Sequence, residues 1–83
     1  MLKEILEEVR KNNMSAKFAK ATGLTKDDKN IGNGDVFFLK DGSSVVIYPD
    51  KSRIEYYTKD MEFVTAYTTV NQAVKALDQE GIL

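Results

Sequence analysis

Three aspartates, at 41, 50 and 60, divide residues 35–68 into four short runs rich in aromatic and β-branched side chains. Asp and Gly favour turns because Asp bonds nearby backbone amides and Gly adopts positive φ without strain. The pair Asp41-Gly42 is among the strongest two-residue hairpin signals. Turns centred on 41–42, 50–51 and 60–61 predict strands near 35–40, 43–49, 52–59 and 62–68. The connections are too short for anything but an antiparallel meander.

Each turn fixes a register, and the three registers can be checked against one another. Pairing outward from 41–42 sets Phe38 opposite Val45 and Val36 opposite Ile47. Pairing outward from 50–51 sets Ile47 opposite Ile54 and Val45 opposite Tyr56. The turn at 60–61 sets Ile54 opposite Tyr67, Tyr56 opposite Thr65 and Thr58 opposite Phe63. One face then collects Val36, Phe38, Val45, Ile47, Ile54, Tyr56, Phe63 and Tyr67, the expected core. A slip of one residue sends a strand's apolar set to the other face. The opposite face is mixed, and it gathers Phe37, Val46, Tyr48, Tyr57 and Val64.

Helical signals flank the sheet. Leu2, Ile5, Leu6 and Val9 recur at helical spacing, and Asn12-Asn13 ends that pattern. Ser15 is an expected N-cap for a second helix at 16–22, which buries Phe18 and ends at Gly23. Thr69 caps a third at 70–80, with Val70, Ala73, Val74 and Leu77 as its apolar stripe and Gly81 as its stop. The segment 25–35, TKDDKNIGNGD, reads as a long polar loop. The predicted class is α+β, with the order α-α-β-β-β-β-α in one domain spanning residues 1–83.

The chain has 83 residues and neither Cys nor His. Disulfides and Cys or His metal sites are therefore excluded, and so are Ser–His and Cys–His nucleophiles. Stability must come from packing, which is barely sufficient at this size. Acidic pairs exist at Asp27-Asp28 and on the strands at Glu55 and Glu62, but no pattern marks a pocket that would tune them. Asp28, Asn30 and Asp35 do not follow the calcium-loop pattern, since Leu39 stands where the closing Glu belongs. No enzyme activity, cofactor, metal or small-molecule substrate is expected.

With 12 basic and 13 acidic residues the net charge is −1, which offers no global field for nucleic acid or a membrane surface. The N-terminus carries too many charges for a signal peptide, so a cytoplasmic location is the expectation. One local asymmetry stands out: Arg10, Lys11, Lys17, Lys20 and Lys26 occur with no acid between them. Ala19 and Gly23 sit four apart there, as at the start of a helix-turn-helix. The following segment, with two Gly and a double Asp, makes a poor recognition helix. Nucleic-acid binding through these five residues is the alternative reading, and an inhibitor-type protein of a mobile element is another. The leading expectation is a non-enzymatic protein-binding module. Its surface is the mixed face of Phe37, Val46, Tyr48, Tyr57 and Val64, and its partner is another protein or a second copy in a homodimer.

Overall fold

A computed structural model describes residues 14–83, and of residues 29 and 30 the backbone alone. The helical pattern at Leu2–Val9, with Arg10 and Lys11, lies outside the described residues. The fold is α+β. Helix α1 (helical at 14–22) precedes strands β1 (Lys26–Ile31), β2 (Gly34–Phe38), β3 (Ser44–Tyr48), β4 (Arg53–Tyr57) and β5 (Phe63–Tyr67); helix α2 (Val70–Gln79) closes the chain. The strands form one antiparallel sheet in sequence order, β1-β2-β3-β4-β5. No helix among the described residues is long and apolar enough to cross a membrane.

The sheet thus has five strands where four were expected. The segment read as a polar loop is a hairpin. Ile31 pairs with Gly34 across Gly32-Asn33, and φ is positive at Gly32 alone (59°), the pattern of a type II′ turn. Polarity hid this strand, because β1 lies at an edge and carries charges that solvent can reach.

Both helices cover one face. Phe18 of α1 and Val70, Ala73 and Leu77 of α2 pack on Phe37, Leu39, Val45, Ile47 and Ile54 to form the core. The Phe18 and Phe37 rings meet edge to face, with centroids 4.9 Å apart. Gly23 ends α1 at φ 75°, its amide donating to the Ala19 carbonyl 2.8 Å away. Ser15 is not the cap expected of it; it lies within the helical residues and donates to Asp35 Oδ2 at 2.5 Å. Thr69 does cap α2, accepting from the Gln72 amide at 3.1 Å. The Ile82 amide reaches back to the Leu77 carbonyl (3.0 Å) past Gly81, which closes the C-terminus.

The β3–β4 register is the expected one, with Val45 opposite Tyr56 and Ile47 opposite Ile54. Residues 49–52 form a four-residue loop. It adds one residue on each side of 50–51, so the parity is unchanged. The β2–β3 register differs by one residue: Phe37, not Phe38, is opposite Val45. Asp41-Gly42 belongs to a three-residue loop, Lys40–Gly42. The Leu39 amide donates to the Ser43 carbonyl (2.8 Å), and Gly42 sits at φ 89°. Asp41 fixes the loop by accepting from both the amide and the hydroxyl of Ser43. These bonds hold its carboxyl below the ordinary value. The slip puts Phe37 and Leu39 in the core, and turns Val36 and Phe38 to the other face.

The β4–β5 turn repeats the device. Lys59, Asp60 and Met61 match Lys40, Asp41 and Gly42, and the Thr58 amide donates to the Glu62 carbonyl at 2.9 Å. Three pairs keep the expected register, Ile54–Tyr67, Glu55–Ala66 and Tyr56–Thr65, and then it shifts so that Tyr57 meets Phe63. Val64 is the extra residue of this β-bulge. Phe63 therefore leaves the core set expected for it and joins the other face. Met61 adopts φ 64° where the equivalent residue is glycine. A side chain in that left-handed region costs ~1–2 kcal/mol. Met61→Gly should raise stability by about 1 kcal/mol, read as a higher melting temperature, while Gly42→Ala should lower it by a similar amount.

Candidate functional site

Among the described residues no helix covers the second face of the sheet. Its side chains stand in cross-strand rows fixed by the register. The row nearest the two three-residue turns is Phe38–Ser44–Tyr57–Phe63; the next is Val36–Val46–Glu55–Ala66; the far row includes Tyr48 and Arg53.

The near row is apolar and open. Phe38 is 50% exposed, Phe63 53% and Met61 49%. Between the two phenylalanines Ser44 is fully buried, and its hydroxyl lies 3.9 Å from the Met61 sulfur, so Met61 sits over it. The Tyr57 and Phe63 rings meet edge to face at 5.9 Å. Phe38 and Phe63 stand at the two ends of this row, with Ser44 and Tyr57 between them and Met61 over Ser44, and the Arg53 guanidinium lies 5.9 Å from the Phe63 ring.

In the middle row Val46 is fully buried and Val36 nearly so. Gly34 explains the fit: a Cβ there would lie 2.5 Å from Val46 Cγ1 and 2.8 Å from Tyr48 Cε1. Glycine at 34 therefore leaves the space that the Val46 methyl and the Tyr48 ring fill. Beside them Glu55 accepts from Tyr57 Oη and from Arg53 Nε, each at 2.6 Å. The tyrosine hydroxyl and then the guanidinium hold the Glu55 carboxyl below its ordinary value. In return, the bond to Glu55 pushes the Tyr57 phenol up to about 12. Burial, then the Glu55 charge, raises Tyr48.

The sign of each shift sets a pH window. Glu55 has a lowered folded value, so its contribution is present above the ordinary 4.5 and fades as pH falls through the folded value. Tyr57 has a raised one, so its contribution is complete below 10 and fades between 10 and about 12. Glu55→Gln should bring the Tyr57 titration down toward 10, measured by phenolate absorbance. A Tyr57 midpoint still near 12 in that variant would assign the shift to burial instead.

At the far end Lys51 lies 5.6 Å from the centre of the Tyr48 ring. A cleft of about 410 Å3 opens there between the Gly32-Asn33 turn and the 49–52 loop, floored by Tyr48, Arg53 and Glu55. The face is therefore graded, apolar beside the two three-residue turns and charged at the cleft.

Of the five residues expected on this face, the register places three there, Val46, Tyr48 and Tyr57, while Val64 sits at the bulge without a cross-strand partner. Tyr48 and Tyr57 are half-buried, Val46 is buried, and Val64 is 49% exposed. Phe37 is not on the face; the one-residue slip places it in the core at 1% exposure. Phe38, Met61 and Phe63 were missed as surface residues. The signal for Met61 was in the sequence, since KDM at 59–61 copies KDG at 40–42. In the basic segment, Lys17 and Lys20 are exposed on α1, while Lys26 lies on β1, 3.7 Å from Asp35. The remaining two, Arg10 and Lys11, fall outside the described residues. No group of three metal-binding side chains occurs among the described residues.

No family model, no curated protein and no solved structure matches the chain.

Proposed function

We propose that this chain is a small non-enzymatic binding module that engages another protein through the open sheet face. The observation that carries the reading is that Phe38, Met61 and Phe63, all at the end of the sheet that holds the two three-residue turns, are each about half exposed. A side chain of this class spans 150–250 Å2 when aromatic, so the three together expose ~300 Å2, near the largest apolar patch a monomer leaves bare. A standard interface takes ~800 Å2 from each partner. These three are thus an anchor, and Tyr57, Tyr48 and Arg53 supply the polar surround. The fitting partner lays apolar side chains against Phe38, Met61 and Phe63 and hydrogen-bonding groups toward Tyr48 and Arg53.

Phe38→Ser with Phe63→Ser tests the reading. The double variant should keep the melting temperature within a few degrees, because both rings are half in water. It should lose the partner that crosslinks to the wild-type chain in its own cells. Retained crosslinking to that partner would place the interface elsewhere.

A further inference from the structure

The two edges of the sheet differ in kind. Edge strand β1 begins Lys26-Asp27-Asp28-Lys29, and its pairing with β2 breaks register between Lys26 and Asn30. Charge and irregularity are the usual guards against addition of another strand. Edge strand β5 reads Phe-Val-Thr-Ala-Tyr, with no charge, glycine or proline. Its bulge is confined to Val64, and Thr65, Ala66 and Tyr67 run in regular register with β4. Among the described residues no strand pairs with the outer side of β5, so alternate amides and carbonyls there lack a ladder partner.

We propose that this edge pairs antiparallel with β5 of a second copy, about a two-fold axis at Ala66, so that two five-stranded sheets join into one. Such an interface is isologous, and it requires a strand complementary to its own reverse. The stretch Thr65–Tyr67 meets that requirement: centred on Ala66, it sets Thr65 opposite Tyr67 of the second copy, and Thr68, whose amide donates to Gln72 Oε1 at 3.2 Å, ends the pairing. The Thr–Tyr contact joins a β-branched and an aromatic side chain, it forms twice, and no like charges meet. Ala66 is small enough for its counterpart to lie directly across the axis. The bulge stays outside the paired centre. The inference uses the edge and not the face, so it stands independently of the binding proposed for Phe38 and Phe63.

Light scattering on the full chain across a concentration series tests it. The expected result is a mass rising from 9.4 kDa toward twice that value. Ala66→Lys opposes two ammonium groups across the axis, whereas within one copy the new lysine falls beside Glu55. It should weaken the dimer about tenfold. Mixing Ala66→Lys with Ala66→Glu chains should restore association. In the wild type, amides at 65–67 should gain exchange protection as concentration rises, a readout that needs no variant. A chain that stays at 9.4 kDa at millimolar concentration, or a dimer indifferent to Ala66→Lys, overturns the proposal.

Discussion

Phe37→Ala should cost ~3–5 kcal/mol, while Phe38→Ala one residue away should cost under about 1 kcal/mol. Phe37 is 1% exposed, packed against Phe18 and among the largest core side chains; Phe38 is half in solvent. Removing the Phe37 ring leaves a cavity beside Phe18 and its cross-strand partner Val45, which the sheet cannot fully collapse to fill. A domain of this length holds about 5–10 kcal/mol in all, so the first variant forfeits a large share. Urea titration of both variants decides it. Equal losses, or a larger loss at Phe38, would restore the register with Phe38 opposite Val45.

Val46→Lys is the second large effect, although Val46 lies on the face that no helix among the described residues covers. The side chain is fully buried beneath Tyr48 and beside Val36. A lysine there must bury its ammonium or displace the Tyr48 ring. The nearest carboxylate, Glu55, is already held by Tyr57 and Arg53. The expected loss is ~3 kcal/mol or more, seen as a collapsed thermal transition. Val64→Lys, at the bulge and half exposed, should change stability by less than about 0.5 kcal/mol. The contrast shows that an open face is not uniformly a surface.

The sequence was most legible where turn length preserved parity. The β3–β4 pairing follows from Asp50-Lys51 whether its loop has two residues or four. It was least legible at Val36-Phe37-Phe38-Leu39, where all four side chains are apolar. Either parity of β2 then builds an apolar face, and burial pattern alone cannot choose between them. The choice is made by the third residue of the 40–42 loop, which only the backbone reveals. The β1 strand lacked any apolar alternation, although Gly32-Asn33 carried a hairpin signal that its polar setting masked. The bulge at Val64 moved Phe63 across the sheet after three correctly paired residues. The mixed face was read from Phe37, Val46, Tyr48, Tyr57 and Val64, and the anchor proposed for it includes two residues, Phe38 and Phe63, assigned to the core.

The exposure of that anchor can be measured without any partner. A soluble gadolinium chelate relaxes the ring and methyl protons that water reaches, residue by residue. In dilute solution the Phe38 and Phe63 rings and the Met61 methyl should relax strongly, while Phe18 and Phe37 stay protected. Strong relaxation at Phe37 with protection at Phe38 and Phe63 would contradict both the register and the surface proposed to bind.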